Sequence, residues 1–95
     1  MHPPLGEALW WVLQQVYPLP ESRKIILILT DGDPDSFNVA FNAIEEGRRF
    51  GIEIYGLGIM SEAISKLLPD HSRTISDLSE LAPAMFAMLR GALVE

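Results

Sequence analysis

The sequence predicts an α/β fold: three layers, with a short and mainly parallel sheet of three strands flanked by helices. Three observations carry this expectation. Two apolar runs of strand length, Ile25 to Leu29 and Ile52 to Ile59, are separated by a segment of helical periodicity, the pattern of a βαβ unit with a right-handed crossover. The first run has no polar alternation, as expected of a strand covered on both faces. Capping and turn residues bracket the helical segments, so no linker and no second domain divides residues 1–95.

Leu5, Ala8, Leu9, Val12, Leu13 and Val16 follow the spacing of an amphipathic helix, which Pro18 and Pro20 stop. Trp10 and Trp11 project roughly 130° to either side of that stripe, Trp10 beside Tyr17 and Trp11 beside Gln15. The core therefore covers neither ring fully, and both call for a second surface. Residues 24–30 form the first strand, of central type, and end in Thr30-Asp31-Gly32-Asp33-Pro34-Asp35, where Asp35 or Ser36 caps the next helix. In that helix Phe37, Ala40, Phe41 and Ile44 keep helical spacing, and Gly51 supplies a left-handed C-cap.

Residues 52–59 give the second strand. Ser61 caps a short helix through Leu68, with Ile64, Leu67 and Leu68 as its buried edge, and Arg73 to Ile75 form a third, short strand. Asp77 and Glu80 have capping-box spacing, and the last helix starts at Pro83 with Met85, Phe86, Leu89 and Leu93 as its apolar face.

Composition narrows the function. The 95 residues carry 7 Lys and Arg against 13 Asp and Glu, a net charge of −6, which is the wrong sign for a nucleic acid or an anionic membrane. There is no cysteine, so there is no disulfide frame, thiolate metal site or cysteine nucleophile, and a domain this small must draw its stability from packing or a partner. The apolar runs are too short to span a bilayer, and the start has no signal-like core, so a cytoplasmic location is expected.

The one dense polar group is Asp31, Asp33 and Asp35, at the end of the first strand. Oxygen-only chemistry of this kind suits Mg²⁺, and a solvated acidic turn that caps the following helix fits the same residues. A calcium loop does not fit: counting from Asp31, Ser36 stands where glycine is needed and Asn42 where glutamate is needed. Gly56-Leu57-Gly58 precedes Ser61 rather than a third glycine, so these glycines are read as allowing close helix packing, not dinucleotide binding. His2 and His71 are read as exposed, and Met60, Met85, Phe86 and Met88 as core. Asp31-Gly32-Asp33 after an apolar strand also resembles the start of aspartate-based phosphotransferases of the haloacid dehalogenase type, the enzyme alternative. In those enzymes threonine or valine usually stands where this chain has Asp35.

The stretch from Arg23 to Asp35 strongly resembles the fourth strand and following loop of a von Willebrand factor type A domain. Pro4 to Leu9 resembles the helix start before that strand, Ile52 to Ile59 its fifth strand, and Ser72 through Leu81 its sixth strand and final helix. Within the family, the chain is most similar to the bacterial group that includes the cobalt chelatase subunit with a C-terminal type A domain. The resemblance implies the C-terminal half of a doubly wound fold, a protein–protein interaction role without catalysis, and a metal-ion-dependent adhesion site for Mg²⁺. That site is incomplete here: the first metal motif is absent, Pro3 stands at the second-motif threonine, and the third motif survives in Asp31, with Asp33 and Asp35 beside it. Tight Mg²⁺ binding is not expected. A fragment of a larger Mg²⁺-binding, chelatase-associated protein is the alternative under the same resemblance.

In the family's sheet the strand at 24–30 has a neighbour on each side, one of which this chain lacks. An apolar strand with a free edge is generally paired or covered. The expectation is a homodimer through residues 24–30, with Ile25, Leu27 and Leu29 at the contact and Trp11 of the first helix contributing.

Overall fold

A computed structural model of the chain describes residues 5–31 and 37–94. The elements run α1 (Leu5–Val16), β1 (Ile25–Thr30), α2 (Phe37–Arg49), β2 (Glu53–Ile59), α3 (Ala63–Leu67), β3 (Ser72–Ile75), a 3₁₀ turn (Leu78–Glu80) and α4 (Leu81–Val94). The three strands form a parallel sheet in the order β1-β2-β3. The α/β fold class and the sequence of elements are those the apolar periodicity dictates. The packing divides into two compact units, and β1 and β2 contribute to both.

One unit holds α1, α2 and the amino-terminal halves of β1 and β2. α1 packs along α2, burying Leu9 and Leu13 from one helix and Ala40, Ala43 and Ile44 from the other. The end of α1 leaves carbonyls without helical partners. Lys24 Nζ donates to one of them, Tyr17 O, at 2.7 Å, where a cation also opposes the helix dipole. α2 stops at Gly51, whose φ of 79° suits a residue without a Cβ. Ile52 N then donates to Gly47 O at 3.0 Å, and the chain turns directly into β2.

The other unit holds the carboxyl-terminal halves of β1 and β2 with α3, β3 and α4. β2 pairs with β3 from Gly56 opposite Ser72 to Ile59 opposite Ile75. Side chains alternate across β2, so its two faces meet different helices. On one face Gly56 lets α3 close in: a Cβ there would stand 2.7 Å from Ile64 Cδ1 and 2.9 Å from Leu68 Cδ1. On the other, Leu57 is buried with Ile75 and Ala84, with Met85 and Met88 packed against them. This places a helix on each face, as three layers require.

Two expectations need correction. The last helix begins at Leu81, with Pro83 inside its first turn, and it buries Ala84 and Ala92 while Phe86 is 69% and Leu93 64% exposed. Small residues let the helix lie close to the sheet, and the stripe Ala84, Met88 and Ala92, spaced by four, became its inner face. β1 is not covered on both faces: Ile26 and Ile28 are buried, but Leu29 is 47% exposed, and among the described residues the strand has a sheet neighbour on one side only. An unbroken apolar run carries no alternation from which its exposed side could be read.

Candidate functional site

Open parallel sheets present their ligands at the carboxyl ends of the strands, and here that edge belongs to the second unit. β1 ends at Asp31, an exposed carboxylate in a bend. β2 ends at Met60, which is 73% exposed and carries a φ of 55°, a left-handed conformation that a side chain of this size rarely adopts. The geometry behind that φ is a tight return of the chain: Met60 N donates to Ile75 O at 2.7 Å, and Gly58 lies where any side chain would collide with Ser61 O. Met60 is therefore not core, contrary to the sequence reading, because the turn directs its side chain outward. Ser61 Oγ accepts from Ala63 N at 3.3 Å and so supports the start of α3.

β3 ends at Ser76, where the chain folds around one carboxylate. Glu80 Oε2 accepts from Ser76 N at 3.1 Å, Ser76 Oγ at 2.9 Å and Asp77 N at 3.0 Å. These bonds form the reach-back arm of a capping box, as the Asp77 and Glu80 spacing predicts. Three donors on one oxygen make this carboxylate the centre of the turn. An open recess of about 690 Å³ lies between these turns, lined by Met60, Ser61, Thr74 and Glu80 among others. Its hydroxyls are bound internally, with Thr74 Oγ1 donating to Ser61 O at 3.4 Å. The described lining offers binding surface and no nucleophile paired with a base.

Of the three metal candidates, Asp31 sits at this edge, and Asp33 and Asp35 lie outside the described residues. Asp31 alone supplies one carboxylate, and Mg²⁺ usually takes one or two together with hydroxyls and water. Among the described residues, no three His, Cys, Asp or Glu side chains gather around a common point. Among the interface candidates, Ile25 and Leu27 are half-buried, Leu29 is 47% exposed on β1, and Trp11 is 61% exposed on α1. No described helix is long and apolar enough to cross a membrane.

Two features escaped the sequence reading. His71 is half-buried: its ring stacks on Tyr55 with centroids 4.8 Å apart, and its Nδ1 is enclosed without a hydrogen-bond partner among the described residues. Only the pairing of β2 with β3, which begins with Gly56 opposite Ser72, could have shown this. His2 lies outside the described residues. The second feature is an apolar recess at the carboxyl ends of α1 and α2, with Tyr17 and Phe50 in its wall. Its one sequence signal was the adjacency of Trp10 and Tyr17 on a helical wheel.

The class that this architecture defines is a small α/β domain with a parallel sheet. No protein-family model matches the sequence, no curated protein matches it, and no solved structure matches the fold. The type A resemblance thus stands on the residues that carry it.

Proposed function

We propose that this chain is a protein–protein interaction module of the type A kind, not catalytic by itself, that associates with a second copy of itself through β1. The observation that carries this reading is an apolar strand at the edge of the sheet, with Leu29 half in solvent. An exposed apolar edge strand is a template for pairing with another chain. In a two-fold dimer the same edge serves both partners, and the pairing closes on itself. The loop at Asp31, Asp33 and Asp35 is a weak Mg²⁺ or partner-contact site. Asp31 supports that role by its position at the carboxyl edge, and the rest of the set is the sequence's own. The reading also places the chain in the cytoplasm, in keeping with a cysteine-free composition.

Sedimentation equilibrium tests the assembly. The wild-type chain is expected to sediment as a dimer and Leu29→Lys as a folded monomer, because a charge on an edge strand opposes pairing. A wild-type chain that stays monomeric and folded at all loading concentrations sinks the proposal. For the cation, amide shifts at Asp31 are expected to move on addition of millimolar Mg²⁺ and to stay fixed in Asp31→Asn. Equal shifts in both proteins would remove the metal role.

A further inference from the structure

A recess of about 350 Å³ opens at the start of β3, and its lining lies wholly within the unit that holds β3 and α4. The volume falls in the range of about 300–1,000 Å³ usual for small-ligand sites. Tyr55 of β2 and His71 line it as a stacked ring pair, together with Ala87, Met88 and Gly91 of α4. Arg73 stands opposite Leu57, which is buried against α4, so its side chain rises on the same face of the sheet. Asp70 and Arg73 both line the recess and are exposed. Among the described residues, neither forms an ion pair.

Two costs to stability meet here. His71 Nδ1 is enclosed without a hydrogen-bond partner among the described residues, and native structures leave few buried polar atoms in that state. Gly91 sits inside α4, where glycine weakens a helix relative to alanine. Close packing commonly explains such a glycine, yet a Cβ at residue 91 would meet nothing within 4 Å. What the missing side chain leaves is open space, and that space belongs to the recess. Folded proteins depart from their local rules chiefly at functional sites.

We propose that this recess binds a free α-amino acid with an aromatic side chain. Arg73 takes the carboxylate, to which a guanidinium can offer two parallel N–H groups. Asp70 takes the ammonium. One unpaired charge of each sign matches a zwitterion: a simple acid would bring a like charge toward Asp70, and a simple amine would leave Arg73 without a partner. The ligand's ring lies against the Tyr55 and His71 pair, with the Met88 thioether as a further aromatic contact. The site uses none of the residues assigned to the β1 contact or to the Mg²⁺ loop.

L-phenylalanine tests the assignment by NMR at the Gly91 amide and the His71 ring, with phenylacetate, which lacks the ammonium, and phenethylamine, which lacks the carboxylate, as comparisons. L-phenylalanine is expected to move both signals saturably, and each comparison compound to bind about tenfold more weakly, as loss of a hydrogen bond to a charged group does. Arg73→Gln and Asp70→Asn alter exposed residues and are each expected to weaken L-phenylalanine about tenfold. Gly91→Leu puts a side chain into the open space. It is expected to abolish the shift at the His71 ring while resistance to urea is kept or raised. A wild-type protein whose two signals stay fixed up to the solubility limit of L-phenylalanine overturns the proposal. Equal binding of either comparison compound removes the zwitterion and overturns it as well. So does a saturable His71 shift that survives in Gly91→Leu, because the ligand then lies elsewhere.

Discussion

Gly56 and Gly91 both sit inside regular elements, yet they answer a methyl group in opposite ways. At Gly56 the added carbon meets Ile64 and Leu68, both fully buried. Gly56→Ala is therefore expected to destabilise by about 1–3 kcal/mol, as overpacking of a closed core does. At Gly91, within α4, the added carbon meets nothing within 4 Å. Gly91→Ala is expected to stabilise by about 1 kcal/mol, through helix propensity and a less flexible unfolded chain. Urea denaturation of the two variants checks both signs, and equal effects would mean that the α3 approach to β2 is looser than the distances state. The close packing at Gly56 was legible from the Gly-x-Gly spacing on a strand. The outward turn of Met60 was not, because a methionine in an apolar run looks like core until the return of the chain through Ile75 O is known.

Among the elements, α1 was legible in detail, and α2 and α4 in outline. In α1 and α2 polar residues mark the outer side, and Leu9, Leu13, Ala40 and Ile44 are buried as the spacing requires, whereas Phe37 and Phe41 of the same α2 stripe are 43% and 40% exposed and stack on each other with centroids 6.0 Å apart. α4 (LAPAMFAMLRGALV) is apolar nearly all round, so no polar face sets its phase, and the large residues Phe86 and Leu93 were mistaken for the core side. Phe86→Gln is accordingly expected to change stability by no more than about 0.5 kcal/mol. Ala84→Leu, pushing into the contact with Leu57 and Ile75, is expected to cost about 1–3 kcal/mol. The turn before α4 depends on one carboxylate, and Glu80→Ala is expected to cost about 1 kcal/mol, as loss of a cap does. Thermal denaturation of the three variants ranks them. A large loss in Phe86→Gln would show that the exposed side of α4 is covered in solution.

For the whole molecule, the homodimer reading predicts a melting temperature that rises with protein concentration, because a partner that binds only the folded chain stabilises by mass action. Leu29→Lys is expected to flatten that dependence, and a wild-type melting temperature independent of concentration would count against association. By itself the sequence determined the order of the elements and the parallel sheet. It did so because the spacing of apolar residues and the chemistry of turns act over a few neighbours and are written locally. Only the tertiary structure decided that Leu29 of β1 lies in solvent, that α4 rests on its alanines, that His71 lies against Tyr55, and that Trp10, Tyr17 and Phe50 leave a recess at the carboxyl ends of α1 and α2. Periodicity says which residues want cover, whereas the neighbour that supplies it is set by contacts between segments far apart in the chain.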